Sequence, residues 1–353
     1  MYLNLDKITK QYRSSSEWAI QECSLSLAQG EKLYLIGESG SGKTTILCII
    51  AGFERASSGS VSINGSVVES RDLSVAPQLR DVGFIFQDPS LFPHLDVEGN
   101  IGFGLSGISR VERSARIEEM VDLFSLRDCL RRYPNQLSGG QQQRVAVARA
   151  FAIKPSIMLF DEAFSKLNYQ LRDRILSEVK QILYGESITS IFVSHSIVEA
   201  FNNADKIGVL QDGEIQQLGT VDEILKKPAN VHVANAIGCS NVFKGVAVDG
   251  GIQTEIGYIT RQHDLPRECP VHVCAHPRGS FMVKECGSVR TSGINGKVMN
   301  CSYREDSKLL VVKIVDTETE VFMNVDTDFP VSVGDDLSFD VAGDKMHVFA
   351  EAR

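Results

Sequence analysis

The stretch Gly37-Glu38-Ser39-Gly40-Ser41-Gly42-Lys43-Thr44 satisfies every fixed position of the pattern G-x-x-x-x-G-K-[ST]. Its flanks are those such a loop needs. Residues 33–36, Leu-Tyr-Leu-Ile, read as an apolar strand entering it, and residues 45–51 read as a helix leaving it. The loop would therefore open onto a helix N-terminus. Its glycines let successive backbone N–H groups turn inward, and the helix end adds partial positive charge, which together make an anion nest. In that nest Lys43 is expected to reach the β- and γ-phosphates of a nucleotide. The Thr44 hydroxyl is expected to be a magnesium ligand, and Gly37, Glu38, Ser39, Gly40, Ser41, Gly42 and Thr45 are expected to complete the cradle.

A phosphate loop needs a carboxylate to hold its metal. Ile157-Met158-Leu159-Phe160-Asp161-Glu162 supplies one at the end of four apolar residues that read as a strand buried on both faces. Ligands bind at the carboxyl edge of an open α/β sheet, so Asp161 is assigned to magnesium and Glu162 to polarising an attacking water. Between these two motifs lies Leu137-Ser138-Gly139-Gly140-Gln141-Gln142-Gln143-Arg144, followed by a helix-compatible stretch. Ser138, Gly139, Gly140 and Gln141 would form a second anion-binding helix start, this one without a lysine. Two such starts in one chain make sense if each nucleotide is held by the loop of one subunit and the Ser-Gly-Gly turn of another.

The whole chain has 353 residues, which points to two domains. Hydrophobic residues make up 43% and charged residues 23%, values of a soluble globular protein. The net charge of -9 argues against a broad nucleic-acid footprint. No run approaches 18 apolar residues and the first ten carry charges, so the expectation is a cytoplasmic chain that neither spans a membrane nor is exported. Its eight cysteines, at 23, 48, 129, 239, 269, 274, 286 and 301, are expected to be thiols. Short apolar runs alternate with helix-like stretches to about residue 235, the texture of an α/β unit on a parallel sheet. From about residue 241 short β-rich runs, at 309–315, 321–325 and 337–341, are broken by turn signals at Asp249-Gly250, Asn295-Gly296, Gly334-Asp335 and Gly343-Asp344. That second part reads as a small all-β barrel or sandwich. Within it His272, Cys274 and His276 alternate, with Cys269 nearby, so on a strand they would share a face and could hold a transition metal.

On its glycine loop, its carboxylate pair and its L-S-G-G-Q string the chain resembles the ATP-binding subunit of ABC transporters. The resemblance runs from about residue 3 to 235. It implies an α/β P-loop NTPase with a helical subdomain at about 88–150, in a domain spanning 1–238, followed by an OB-like, TOBE-type β-rich regulatory domain at 239–353. It implies ATP hydrolysis coupled to transport by a homodimer closing on two ATP-Mg²⁺, on the cytoplasmic face of the plasma membrane. The implied partners are an integral-membrane permease and a periplasmic or extracellular substrate-binding protein, with no nucleic acid. Gln87 matches the glutamine that senses magnesium and water and faces the permease, His195 matches the histidine that contacts the γ-phosphate, and Tyr12 matches the aromatic on which adenine stacks. Glu162, His195 and Gln87 are then the catalytic set, and Thr44, Gln87 and Asp161 the magnesium set. Phe84, Phe86, Leu91 and Phe92 could line the groove that receives the permease. Three positions depart from the family: Ala163 where proline is usual, Asn168 in Ser165-Lys166-Leu167-Asn168 where aspartate is common, and Ser196 after the switch histidine. The β-rich extension resembles importer ATPases for maltose, polyamines, sulfate and iron(III). The runs at 88–95 and 133–144 look most like the iron(III) group. Importers of other solutes and soluble non-transport ABC ATPases are the alternatives.

Overall fold

The computed structural model describes residues 1–13, 16–286, 293–304 and 306–351, and the chain divides into two compact units, Met1–Asp222 and Glu223–Arg353. The first unit holds two sheets. An antiparallel sheet, in the order β2-β1-β4-β5, is formed by β1 (Leu3–Gln11), β2 (Trp18–Leu27), β4 (Ser58–Ile63) and β5 (Ser66–Glu69). The second sheet runs β10-β9-β3-β8-β7-β6, from β3 (Lys32–Ile36), β6 (Val82–Ile85), β7 (Ile157–Asp161), β8 (Thr189–Val193), β9 (Lys206–Gln211) and β10 (Glu214–Gly219). Five of its strands are parallel and only the edge strand β10 is antiparallel. All five residues of β7 and all five of β8 are buried, as near-continuous apolar runs covered on both faces must be.

An aromatic ladder pins the centre of this sheet. Tyr34 pairs in register with Phe192, and Phe192 with Phe160. The rings stack at 4.7 Å and 4.1 Å between centroids, tilted by only 7° and 2°. Cross-strand aromatic pairs contribute about 0.2–1 kcal/mol each, and a one-residue slip would turn every side chain to the opposite face. The ladder thus fixes which residues emerge where β3, β8 and β7 end.

Six helices complete the first unit's functional part: α1 (Lys43–Ala51), α2 (Val97–Ile101), α3 (Arg110–Leu123), α4 (Gly139–Ala152), α5 (Tyr169–Gly185) and α6 (Ile197–Asn203). Helix α3 starts in a full capping box between Ser109 and Glu112. Among the described residues no helix is long and apolar enough to cross a membrane.

The second unit carries two five-stranded antiparallel sheets that share one apolar core, including Phe243, Phe281, Leu310 and Phe339. Asp249-Gly250 turns between the strands Asn241–Val248 and Gly251–Thr254, with Gly250 at φ 79°. Asn295-Gly296 is not a turn. It lies inside the strand Ile294–Tyr303, and a Cβ at Gly296 would come within 2.5 Å of Val312 Cγ1, so the glycine serves a close cross-strand approach. The short helix Val231–Ala236 packs on the strand Pro270–Ala275, and the compact division at 222/223 lies ahead of the domain boundary at 238/239 that the resemblance implies.

The metal reading of the second unit is overturned by burial. His272 and Cys274 alternate with the core residues Val271, Val273 and Ala275, but Cys274 is fully buried and its strand ends before His276. Burial pushes the Cys274 thiol up to about 12 and the Cys239 thiol to about 11, far from the thiolate a metal requires. Among the described residues no group of three His, Cys, Asp or Glu side chains could hold a metal ion. Seven cysteines are free thiols, and the side chain of Cys286 lies outside the described residues.

Candidate functional site

Four neighbouring strands in the order β3-β8-β7-β6 deliver the site from their carboxyl ends. β3 leads into the loop 37–44, β8 into Ser194 and His195, β7 ends on Asp161 before Glu162, and β6 is followed by Phe86 and Gln87. Residues spread from Gly37 to His195 therefore meet on one edge because parallel strands all end there.

The loop itself needs its glycines. Gly42 has φ 102°, and a Cβ there would lie 2.4 Å from the Ala19 carbonyl oxygen and 2.5 Å from Ile20 Cδ1. It stands at the N-cap of α1 and offers no side chain, so no side-chain acceptor competes for the helix's first N–H groups. Lys43, 5% exposed, folds back into the loop. Its Nζ donates to the Gly37 carbonyl at 2.9 Å, the Glu38 carbonyl at 2.6 Å and the Ser41 hydroxyl at 3.3 Å. Burial pulls the Lys43 ammonium below the usual lysine range, opposed by the negative charges of Glu162, Asp161 and Glu38.

The Thr44 hydroxyl donates to Asp161 Oδ1 at 2.9 Å, joining the two expected metal ligands. A hydroxyl and a carboxylate are hard oxygen donors of the kind magnesium takes, with water and phosphate oxygens filling the remainder. Burial holds the Asp161 carboxyl above its ordinary value. The Thr44 hydrogen bond and the Lys43 charge act the other way, and Glu162 adds to the rise. A carboxylate so placed gains from a nearby cation.

Glu162 occupies the left-handed region, φ 47°, which turns its side chain out of the strand line at a cost that functional sites tolerate. Its Oε1 lies 2.6 Å from His195 Nε2, and its Oε2 accepts from Gln87 Nε2 at 3.3 Å. The three expected catalytic side chains are thus one connected group. Tyr12 is also near the loop: its hydroxyl lies 3.3 Å from Thr45 Oγ1, and Lys10 Nζ sits 4.8 Å from its ring centroid. Lys10, held by Glu54 at 2.7 Å, is a neighbour that its sequence position does not announce.

Ser138, Gly139, Gly140 and Gln141 open a different helix, α4. Ser138 caps α4, accepting from Gln141 N at 3.3 Å while Gln141 Oε1 accepts from Ser138 N at 3.0 Å. A Cβ at Gly139 would meet nothing within 4 Å, whereas one at Gly140 would lie 2.3 Å from Leu171 Cδ2, so this helix start is open at Gly139 only. Gly139 and Gly140 line a cavity of about 430 Å³ with Gln87, Asp88, Lys166 and Asn168. Lys166 forms an ion pair with Asp88, which ties the segment after Glu162 to the residue following Gln87.

The departures at 168 and 196 have local structural roles. Asn168 is the N-cap of α5, its Oδ1 accepting from Leu171 N at 2.9 Å, and Ser196 is the N-cap of α6, accepting from Glu199 N at 3.2 Å. Asn168→Ala is expected to cost about 1 kcal/mol of stability. Asn168→Asp keeps the acceptor, adds charge at a helix N-terminus and should gain about 0.3–1 kcal/mol. Thermal melts ranking the side chains Asp, Asn, Ala from most to least stable would bear this out; an alanine variant as stable as the parent would not.

Comparison with known proteins agrees with this geometry. Residues 20–165 match the family described as "ABC transporter". The chain is 36% identical to the spermidine/putrescine import ATP-binding protein PotA of Thermobifida fusca, over 92% of this chain and 87% of that protein. It is 41% identical to the Fe(3+) ions import ATP-binding protein FbpC of Fusobacterium nucleatum, over 69% of this chain and 66% of that one. Among solved structures, the dimeric ATP-binding cassette MJ0796 in a post-hydrolysis state with ADP and Pi superposes with TM-score 0.57 at 32% identity, covering 62% of this chain and 98% of its own. A glycine loop and an Asp-Glu pair at the ends of one parallel sheet and a Ser-Gly-Gly helix start in the same unit, with relatives aligned over most of their length, lead to one conclusion: the chain belongs to the ABC transporter family, as an ATP-binding ATPase.

Proposed function

We propose that this chain is the ATP-hydrolysing subunit of an importer, working as a homodimer on the cytoplasmic face of the plasma membrane beneath a permease supplied by an extracellular or periplasmic binding protein. The observation that carries the reading is the presence within one chain of two helix starts suited to phosphate: the lysine-bearing loop at α1, and the Ser138-capped Ser-Gly-Gly turn at α4, open at Gly139. A second copy turned about a two-fold axis supplies the missing half of each site. The dimeric cassette MJ0796 and relatives named as import ATP-binding proteins support this arrangement.

In this reading the loop N–H groups and Lys43 bind the phosphate tail and Tyr12 stacks on adenine. Thr44, Asp161 and Gln87 would hold magnesium, which would neutralise charge on the β- and γ-phosphates. Glu162 orients the attacking water and accepts its proton. His195, hydrogen-bonded to Glu162, places that carboxylate and faces the γ-phosphate. Ser138, Gly139, Gly140 and Gln141 of the partner close the site. The exposed Phe86, packed against Phe84 and Phe53 at ring distances of 4.3 and 5.7 Å, lies beside Gln87 and gives the permease an apolar contact.

Iron(III) is the proposed cargo, as the runs at 88–95 and 133–144 suggest. A polyamine is the second reading, favoured by a PotA relative that aligns with 98% of this chain, β-rich unit included. Uptake of radiolabelled iron(III) and of radiolabelled spermidine, compared in cells lacking the gene and cells with it restored, separates them. Loss of iron(III) uptake alone supports the first cargo and loss of spermidine uptake alone the second. Unchanged uptake of both removes both.

A further inference from the structure

We propose that Arg80 and Arg116 are positioning residues, each clamping the far end of one of the two helices whose starts meet nucleotide phosphates. This rests on the two-copy ATP site proposed above. The last carbonyls of any helix lack partners within it, and a cation there suits the helix dipole. Arg80 is fully buried just ahead of β6. Its Nη1 donates to the Ile49 carbonyl at 2.7 Å and the Ile50 carbonyl at 3.2 Å, both in the last turn of α1. Its Nε donates to the Val75 carbonyl at 2.7 Å, and Nη2 to Glu69 Oε2 at 2.7 Å and to the Ser74 hydroxyl at 3.3 Å. Five N–H donors meet five acceptors, a match that lysine cannot reproduce. Gly52 leaves the way clear, because a Cβ there would lie 2.5 Å from Arg80 Nε.

Arg116, 6% exposed on α3, repeats the arrangement on α4. Its Nη2 donates to the Phe151 carbonyl at 2.6 Å and its Nε to the Ala152 carbonyl at 3.0 Å, the last two residues of that helix, while Glu119 pairs with Nη1 at 2.8 Å. α1 begins at the lysine-bearing loop and α4 at the Ser-Gly-Gly turn. A rigid helix transmits a shift of its clamped end to its start, where a misplacement of about 1 Å can cost on the order of a hundredfold in rate. The two clamps therefore act on different steps. Arg80 sets the loop that binds nucleotide within one chain, and Arg116 sets the turn that acts only across the dimer.

A general loss of stability would not produce that split. The test titrates the fluorescent nucleotide MANT-ADP onto the full-length chain. It also measures, by sedimentation velocity, the ATP concentration that half-dimerises chains carrying Glu162→Gln. Arg80→Lys should weaken MANT-ADP binding roughly tenfold, whereas Arg116→Lys should leave it within about twofold and raise the half-dimerising ATP concentration roughly tenfold. Should Arg80→Lys fail to fold, Glu69→Gln/Arg80→Gln, which removes both buried charges together, serves for the same measurement with the same expectation. Equal weakening of MANT-ADP binding by both arginine variants, or no effect of either, overturns the inference. A parent chain that binds MANT-ADP but never dimerises with ATP in the Glu162→Gln background tells against the two-copy site itself.

Discussion

Glu162→Gln is expected to leave a chain that binds ATP, dimerises and stalls, with steady-state phosphate release lowered by about 10²- to 10⁴-fold, the range a positioned general base supplies. The expectation follows from the bonding around the carboxylate. Oε1 faces His195 at 2.6 Å and Oε2 faces Gln87 at 3.3 Å. An amide of the same size keeps one carbonyl acceptor for this network but cannot take a proton from water. Lys43, the loop N–H groups and the Thr44–Asp161 pair are untouched, so nucleotide affinity and closure survive. In the proposed dimer closure should even accumulate, because the γ-phosphate contacts expected to join the copies would no longer be cut. Phosphate release and sedimentation velocity, measured on the same preparation with ATP and magnesium, check both halves. Phosphate release at the parent rate would remove Glu162 from the base role, and slow release without dimers would remove the two-copy site.

How much of this was legible in the sequence depends on how far apart the cooperating residues lie. The loop 37–44 and the Asp161-Glu162 pair are read locally, because a few consecutive residues fix both the chemistry and the adjoining strand. Gln87 and His195 carry no such local mark. They join Glu162 only because β6, β7 and β8 are neighbours in the sheet, and sheet order follows from long-range pairing that no short window contains. The Tyr34–Phe192–Phe160 ladder and the two arginine clamps escaped for the same reason, since Arg80 reaches back 31 positions to Ile49 and Arg116 reaches 36 forward to Ala152. Asn295-Gly296 misled because this dipeptide favours tight turns, yet Gly296 answers a packing demand from Val312 across the strand. At His272, Cys274 and His276 the alternation was correctly read as far as the strand runs. Burial of Cys274, which depends on what packs over the strand, removed the metal.

Lys43→Ala should abolish useful nucleotide binding. In the proposed site the lysine is the cation of the cradle, and truncating one partner of a buried charge pair costs about 2–5 kcal/mol, roughly 30- to 5,000-fold in affinity. The free chain shows why its own stability should change little. Lys43 Nζ makes three hydrogen bonds to its loop, each contributing about 1 kcal/mol net. Against these stands the burial of an ammonium, which pulls its proton affinity down despite the nearby Glu162, Asp161 and Glu38. The sign is that of a group whose folded-state pKa lies below its unfolded one: the charged form weakens the fold at neutral pH, and stability rises as pH climbs through the folded-state value. A triphosphate tail reverses this, because it places negative charge where the ammonium is held and turns an electrostatic burden into binding energy. Alanine removes burden and benefit together. Calorimetric titration with ATP and magnesium should therefore show binding lost, while the melting temperature without nucleotide stays near that of the parent. Parent-like ATP affinity in Lys43→Ala would mean that the loop does not grip phosphate through this side chain. A large fall in the nucleotide-free melting temperature would mean that the lysine holds the fold together and was never poised for a ligand.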